Sequence, residues 1–450
     1  METNSGNKYL KLIFLHIILG VICFLLPVLT KLYSLIVFGG GLWYVIKNKN
    51  RNLEVLQVAA YITGIEVFFR MTNGMHITEY AKYSIIIFMI LGMFYDGIKK
   101  SSYIYVLFLL LLLPGIFVGI NNLRFDTNIR KAIAFNISGP VCLGISAIYC
   151  FGKDIKFEVL KKVLLYMTLP IATVTTYIFL FTPSVKDVVT NTQSNFEASG
   201  GYGPNQVSTV LGLGMFLFFF QILLNSKSRS IRLFNAILLG IVSFRAIVTF
   251  SRGGVMTGLA MIVFLLIFTF LLLNFKAKAR LIYYAIIGII FSLGIWTYSS
   301  LETQGMIDKR YANQSARGIE KESQLSGRET LMSTEMQMFL DNPFFGVGVG
   351  KNKEYREELT GIEAASHNEI TRMVAEHGLF GVLAFIILLF TPILRFLANR
   401  RNIFIISFLA FWGLTINHAA MRLAAPAFIY ALSLLNVIFV EENESIVHRE

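Results

Sequence analysis

Residues 254–273 read GVMTGLAMIVFLLIFTFLLL, twenty residues without a charge. An α-helix rises 1.5 Å per residue, so about 20 apolar residues cross the hydrocarbon core of a bilayer. Similar stretches recur along the chain, in which hydrophobic residues make up 55% of 450 residues and charged residues only 15%. This composition lies outside the range of soluble domains. The sequence therefore predicts an all-α polytopic membrane protein.

We count about 14 apolar segments of sufficient length, some of them short, and expect about 12–14 transmembrane helices in a single domain over residues 1–450. The segments lie near residues 10–27, 32–46, 53–69, 83–95, 103–120, 133–151, 163–182, 206–224, 233–250, 254–273, 281–298, 375–394, 402–416 and 424–440.

The net charge of +13 comes from basic residues that cluster in short loops on alternate sides of these segments. This placement argues against nucleic acid as a partner, and the positive-inside rule makes the basic loops cytoplasmic. Both termini are then cytoplasmic, and the segments after residues 182, 250, 298 and 416 lie on the outer face. Examples of the basic clusters are Lys47, Lys49 and Arg51; Lys153, Lys156, Lys161 and Lys162; Lys276, Lys278 and Arg280; and Arg395, Arg400 and Arg401.

The three cysteines, Cys23, Cys142 and Cys150, fall inside apolar segments, where cysteine serves as a small hydrophobic residue. No disulfide or metal framework is visible, and no cofactor is implied. No small-residue cleavage pattern follows the first apolar run, so we expect a retained first helix.

The longest polar insert covers residues 299–372 and is predicted to form one large extracytoplasmic helical loop. It contains the sequences SGRE at 326–329, NPFFGVGVG at 342–350 and SHNE at 366–369. In a chain this apolar, a polar insert of such length is where we expect the chemistry.

Two capping-box patterns, at 326–329 and 366–369, place Arg328 and His367 in the first turns of helices. Free backbone N–H groups at such a position favour an anion such as phosphate, and they favour the neutral histidine that a general base requires. A solvated histidine is the simpler alternative for His367. Asp341-Asn342-Pro343 should end the first of these helices, and the three glycines at 346–350 should form a tight irregular segment. They are weak evidence for a nucleotide site, because no strand–glycine–helix unit surrounds them.

Arg252 lies at the outer border between two apolar segments, in Phe250-Ser251-Arg252-Gly253-Gly254. An arginine there can simply snorkel to the interface. However, outer-face arginines run against the insertion bias, and the flanking glycines leave room for a ligand. Arg245, about two turns earlier, needs a partner or an aqueous cavity and is a candidate supporting residue.

His418 and Arg422 should reach the same outer face and could line the site. Glu376 and His377, at the start of the following segment, are equally compatible with packing. No Asp-x-Asp or close acidic pair lies at an outer border, so a metal-bound nucleotide-sugar mechanism is disfavoured. The visible site is cationic and metal-free, which suits an anionic leaving group.

Taken in order along one membrane face, these motifs resemble the O-antigen ligase and O-antigen polymerase superfamily of bacterial envelopes. The resemblance covers about residues 200–395. The motifs that carry it are Ser251-Arg252-Gly253-Gly254, Gly327-Arg328, Asn342-Pro343-Phe344-Phe345-Gly346-Val347-Gly348, His367-Asn368 and Glu376-His377-Gly378-Leu379-Phe380-Gly381.

The resemblance implies a membrane-embedded, GT-C-like, metal-independent glycosyltransferase of the bacterial inner membrane. Its donor would be a glycan on undecaprenyl diphosphate, and its acceptor a lipid A core or a lipid-linked repeat unit. By this analogy Arg252 and Arg328 contact the diphosphate, and His367 activates the acceptor hydroxyl. Asn368 is a possible supporting residue beside it.

Two activities share this donor chemistry, and the motifs do not separate them. A ligase transfers a finished polymer to a lipid A core sugar, which we favour, whereas a polymerase of O-antigen, capsule or exopolysaccharide repeat units extends a chain. Transfer to protein hydroxyls is a third possibility. A flippase for lipid-linked oligosaccharides is less well supported, because the middle of the membrane is nearly uncharged apart from Arg245.

Overall fold

The structure, a computed structural model, describes residues 2–226, 228–321, 323, 328–361, 364–418 and 421–439, with all their side chains except those of residues 2–5 and 328. Most of this part of the chain is helical. The first eight helices are α1 (Glu2–Leu25), α2 (Val28–Asn48), α3 (Glu54–Met71), α4 (Tyr80–Asp96), α5 (Tyr103–Leu111), α6 (Leu113–Asn122), α7 (Ile129–Cys150) and α8 (Phe157–Phe181).

The remaining helices are α9 (Pro204–Phe220), α10 (Arg229–Ile247), α11 (Arg252–Leu272), α12 (Phe275–Glu302), α13 (Met306–Tyr311), α14 (Arg328–Asp341), α15 (Asn352–Thr360), α16 (Glu369–His377), α17 (Leu379–Ala398), α18 (Ile405–Ile416) and α19 (Ala425–Leu432). Short 3-10 turns lie at Lys100–Ser102 and Glu197–Ser199, and a π-helical turn at Gln221–Asn225 extends α9. Two short strands, β1 (Asp154–Lys156) and β2 (Asn436–Ile438), pair in parallel.

Ten helical segments in the described residues are long and apolar enough to cross a membrane. The prediction of an all-α polytopic membrane protein is therefore confirmed. The ten are Gly6–Leu25, Val28–Asn48, Lys100–Asn122, Ile129–Cys150, Phe157–Phe181, Pro204–Asn225, Arg229–Ile247, Arg252–Leu272, Phe275–Glu302 and Leu379–Ala398.

The four other predicted segments correspond to α3, α4, α18 and α19. Helix α3 carries charged residues, Glu66 and Arg70 among them, and the other three are shorter than the ten spans. The segment predicted at 424–440 is helical only as far as Leu432. The chain then turns into β2, where Asn436 donates its backbone N–H to the carbonyl of Lys153 at 2.9 Å. The β-branched residues Val437 and Ile438 suit this extended conformation.

Helices α9 and α11 pack backbone against backbone. A Cβ on Gly212 would lie 2.0 Å from the carbonyl oxygen of Gly254, and a Cβ on Gly254 would lie 2.1 Å from that of Ser208. Because no side chain fits at either position, the two helices are held in one register. The ends of these helices at Asn205 and Arg252 are therefore fixed relative to each other.

Among its described residues, the polar insert contains helices α13, α14 and α15 and the start of α16, as expected of a helical loop. Helix α14 ends at Asp341, as predicted. Beyond it Gly346, Gly348 and Gly350 all have positive φ angles, of 71°, 96° and 86°. Val349 donates its N–H to the carbonyl of Gly115 at 2.9 Å. The glycine segment thus docks the insert onto α6.

Candidate functional site

The turn before α11 presents Arg252. Phe250 has a φ of 59°, which reverses the chain between α10 and α11. The hydroxyl of Ser251 donates to Oδ1 of Asn205 at 2.8 Å, and Arg310 donates from Nε to the carbonyl of Phe250 at 3.0 Å. Arg252, half-buried, is the first residue of the helix, so it lies where backbone N–H groups and the helix dipole favour an anion.

His418 covers this turn. A Cβ on Gly253 would lie 2.5 Å from the imidazole ring of His418. The ring is oriented by Thr209, whose hydroxyl lies 3.2 Å from Nε2, and by the carbonyl of Leu414, which lies 2.9 Å from Nδ1. The structure therefore brings His418 directly to the Arg252 turn, as expected for a residue that lines the site.

Asn368 connects the His367 segment to the same place. Its Nδ2 donates to Oδ1 of Asn417 at 3.1 Å, and Asn417 precedes His418 in the chain. A continuous path of contacts thus leads from Arg252 and Gly253 through His418 and Asn417 to Asn368 and His367.

The second capping-box prediction is wrong in its register. Helix α16 begins at Glu369, and Asn368 is its N-cap: Oδ1 accepts from the N–H groups of Ile370 at 2.8 Å and Thr371 at 3.4 Å. Asparagine is as good a cap as serine and lies nearer the helix start. His367 consequently lies before the cap and not in the first turn, and its side chain is half-buried.

Arg422 also reaches this segment. It donates from Nη2 to the carbonyl of Ser366 at 2.8 Å, next to His367. Its own carbonyl accepts from Nη2 of Arg70 at 3.3 Å. Arg422 therefore links the His367 segment to α3.

Two predicted features of the insert cannot be compared with the structure. Ser326 and Gly327 lie outside the described residues, and Arg328 is described only by its backbone, as the first residue of α14. Its contact with a diphosphate remains a prediction.

Arg245 is fully buried in α10, and its hydrogen bond and ring contacts are with Thr182, Phe179 and Phe244 rather than with the residues on the path from Arg252 to His367. Its guanidinium lies 3.7 Å from the centre of the Phe179 ring and donates from Nη2 to the carbonyl of Thr182 at 3.0 Å. Within the described residues, its Nε and Nη1 have no hydrogen-bond partner. A supporting role for Arg245 remains a prediction.

Sequence reasoning missed the buried ion pairs beneath the site. In α16, Arg372 binds Glu376 at 2.6 Å and also binds Glu369. Although burial acts to lower it, these carboxylates raise the pKa of Arg372 above its ordinary value. The structure also pairs Arg70 with Glu66 at 2.9 Å, within one turn of α3. Charged residues within or next to predicted apolar segments, such as Glu66, Arg70 and Glu376, gave a signal for these pairs, but their partners were not evident.

Sequence reasoning also missed two cations near Arg252, namely Arg310 and Lys321. Burial lowers the pKa of the Lys321 amine, and the positive charges of Arg310 and Arg252 lower it further. Arg310 also reaches the turn itself, because its Nε donates to the carbonyl of Phe250, two residues before Arg252, at 3.0 Å. Their separation in the sequence gave no sign that they would converge.

Tyr311 lies beside the same two arginines. Burial raises the pKa of its hydroxyl to about 12, although the charges of Arg252 and Arg310 act in the opposite direction. The hydroxyl is therefore protonated at neutral pH and available as a donor.

Across the described ranges, no group of three or more His, Cys, Asp and Glu side chains could hold a metal ion.

The Arg252 turn and the His367 segment both lie in one stretch of the chain that matches a known family. Residues 236–386 match the family model described as O-antigen ligase. The matched stretch of this O-antigen ligase family is about a third of the chain, and the resemblance to the superfamily is confirmed there. No curated protein matches the chain significantly.

The O-antigen ligase match contains Arg245, Arg252, Arg328, His367 and Asn368, whereas His418 and Arg422 follow it. The structure therefore brings two residues from outside the matched stretch against residues inside it. The match supports a ligase- or polymerase-type activity in a multi-pass membrane protein.

Proposed function

We propose that the protein transfers a glycan from an undecaprenyl-diphosphate-linked donor to an acceptor sugar hydroxyl, on the outer face of the bacterial cytoplasmic membrane. The observation that carries this proposal is the path of contacts from Arg252 through Gly253, His418 and Asn417 to Asn368. It connects a cationic turn to the only histidine of the 366–369 motif. Cation and base are the two groups that the reaction needs.

Arg252 and Arg328 would bind the diphosphate of the donor. Guanidinium groups form strong, charge-assisted hydrogen bonds to phosphate oxygens. They also stabilise the negative charge that grows on the leaving diphosphate as its bond to the sugar breaks. Arg252 adds the N-terminus of a 21-residue helix behind the phosphate.

His367 would act as the general base. The oxygen of the acceptor hydroxyl forms a bond to the anomeric carbon, and the bond from that carbon to the phosphate oxygen breaks. The bonding electrons leave with undecaprenyl diphosphate, and the hydroxyl proton moves to the imidazole of His367. A single displacement of this kind inverts the anomeric centre, and it requires no metal ion.

The acceptor is proposed to be a lipid A core sugar, which makes the reaction a ligation. The alternative acceptor is a lipid-linked repeat unit, which makes it a polymerisation. Both would approach from the His367 side, where Asn368 and Arg422 hold the backbone of the motif. The two acceptors differ in the product that they give and not in the donor chemistry.

The test uses the purified full-length protein in detergent with an undecaprenyl-diphosphate glycan. One reaction contains a lipid A core acceptor, and the other contains only more donor. Transfer to the core without chain growth is the expected result. A ladder of longer glycans from donor alone would replace ligation with polymerisation, and turnover in neither reaction would contradict the proposal.

A further inference from the structure

The exposed half of α14 is divided into an apolar and a polar sector. Successive residues of an α-helix are rotated by about 100°, and over residues 330–341 this rotation separates two groups of side chains. The apolar sector consists of Met332, Met336, Phe339 and Leu340. The polar sector, exposed throughout, consists of Thr330, Ser333, Gln337 and Asp341. A helix divided in this way suits the boundary between a bilayer and water.

The turn after α14 continues the apolar sector. Phe344 is 68% exposed and Phe345 is 53% exposed, although both are large apolar residues in a polar insert. The ring of Phe345 stacks on that of Phe380, with the ring centres 5.6 Å apart. Leu379 donates its N–H to the carbonyl of Pro343 at 2.7 Å. The turn is therefore joined to the first residues of α17, which is one of the ten membrane-spanning segments.

Helix α17 carries a stripe of exposed apolar side chains that begins at this junction. The members of the stripe recur every three or four residues, so they lie on one side of the helix. They are Leu379, Leu383, Ile386 and Phe390. Exposed apolar side chains of a membrane-spanning helix face lipid. The lipid-facing surface of α17 therefore reaches the turn that contains Phe344 and Phe345.

A second membrane-spanning segment indicates the depth of this junction. Gly115 lies seven residues before the end of the segment Lys100–Asn122, which corresponds to about 10 Å along a helix. Gly115 packs directly against Nδ1 of His377, two residues before Leu379, and its carbonyl accepts the N–H of Val349 at 2.9 Å. The start of α17, with the turn joined to it, therefore lies within the level that the other segment spans.

We propose that the surface formed by Met336, Leu340, Phe344 and Phe345 enters the lipid bilayer, so that α14 lies as an interfacial helix at the membrane surface. The bilayer is the occupant, rather than a partner protein, because this surface continues the lipid-facing stripe of α17. The helix that the bilayer holds is the one that begins at Arg328. This inference does not depend on the transferase proposal.

The test uses nitroxide spin labels on single introduced cysteines of the full-length protein, in vesicles of phosphatidylethanolamine and phosphatidylglycerol. Leu340→Cys and Phe344→Cys probe the proposed surface. Thr330→Cys and Gln337→Cys, in the polar sector of the same helix, are the matched controls. Leu383→Cys, in the stripe of α17, gives the value for a lipid-facing position. The three native cysteines are buried, and wild type treated in the same way gives the background signal.

Two collision rates are measured for each label, one with molecular oxygen, which concentrates in the bilayer, and one with a water-soluble nickel chelate. We expect the oxygen-to-nickel ratio of Leu340→Cys and Phe344→Cys to be several-fold higher than that of the two controls and to approach that of Leu383→Cys. Thermal midpoints at the wild-type value show that each labelled variant is folded.

Two results would overturn the proposal. The first is a ratio for Leu340→Cys and Phe344→Cys equal to that of the polar-sector controls, which would place the surface in water. The second is dipolar broadening between labels of Phe344→Cys on different molecules, together with a low oxygen collision rate. That result would assign the surface to a contact between two copies of the chain.

Discussion

Asn368 uses the two ends of one amide for two tasks. Nδ2 donates to Oδ1 of Asn417 at 3.1 Å, while Oδ1 caps α16 by accepting from Ile370 at 2.8 Å. The same side chain therefore fixes where the helix begins and attaches the His367 segment to the end of α18. The two tasks can be separated by substitution.

Asn368→Asp should keep the cap and lose the link. Aspartate caps helices as well as asparagine does, but it cannot donate to Asn417. We expect an unchanged thermal midpoint and slower transfer. Asn368→Ala loses both interactions, and the missing cap alone should cost about 1 kcal/mol of stability. Equal transfer rates in Asn368→Asp and wild type would show that the link to Asn417 does not matter for catalysis.

Gly253→Ala should displace His418. A Cβ at Gly253 would lie 2.5 Å from the His418 ring, so the ring has to move and the path to Asn417 with it. We expect transfer to fall by about tenfold or more, since small misplacements at a site are costly to the rate. Gly413→Ala, on α18, is the matched control because its Cβ would meet nothing within 4 Å. A loss of the same size in both variants would contradict the explanation.

His367→Ala should lower kcat by about 10²–10⁴-fold, as expected when a general base is removed. The control is His76→Ala, in an exposed loop between α3 and α4. Arg252→Ala and Arg328→Ala should lower transfer as well, because each removes a contact to the diphosphate. If all three alanine variants fold and transfer normally, the assignment of roles fails.

Arg372→Met should destabilise the protein strongly. It would leave Glu369 and Glu376 buried without their cation, and breaking a buried ion pair in this way costs about 3–5 kcal/mol. Arg124→Met is the comparison, because Arg124 binds Glu357 and Glu358 at the surface. The thermal midpoint in detergent should fall markedly for the first variant and hardly at all for the second. Equal shifts would show that the buried pair contributes little.

We expect the buried His377 to make the free energy of unfolding depend on pH. Burial, and to a smaller extent the charge of Arg372, lower the pKa of His377 to about 3, while an unfolded histidine has a pKa near 6.5. Between these values the unfolded chain binds more protons than the folded one. The contribution of His377 is therefore complete above pH ~6.5 and is lost as the pH falls towards 3, by up to about 1.4 kcal/mol per pH unit.

The variant that isolates this effect is His377→Gln. Thermal midpoints of wild type and variant are compared from pH 7.5 to pH 5 in the same detergent. The wild type should lose more stability than the variant on acidification. Parallel curves would show that His377 does not take up a proton on unfolding.

The membrane-spanning architecture could be predicted from the sequence because it depends on length and apolarity alone. The twenty apolar residues at 254–273 predict a span whatever their neighbours are. The end of α14 at Asp341 was equally local, since a proline follows shortly after it. Features that depend on a few adjacent residues could therefore be predicted from the sequence.

Contacts between segments that are distant in the sequence could not be predicted from it. Arg310 and Lys321 join Arg252 only because the insert folds back over the turn at Phe250. The cap of α16 could not be assigned because Ser366 and Asn368 are both good N-caps, and the choice between them depends on Asn417 and on the path of the chain. The site residues and their roles therefore still need the experiments above.

The close packing of α9 against α11 restricts how a lipid substrate can travel. The backbones meet at Gly212, Gly254 and Ser208, where even one methyl group would overlap a carbonyl oxygen. A hydrocarbon chain cannot slip between these two helices. A donor that diffuses in the plane of the bilayer must come to Arg252 along another side of the bundle.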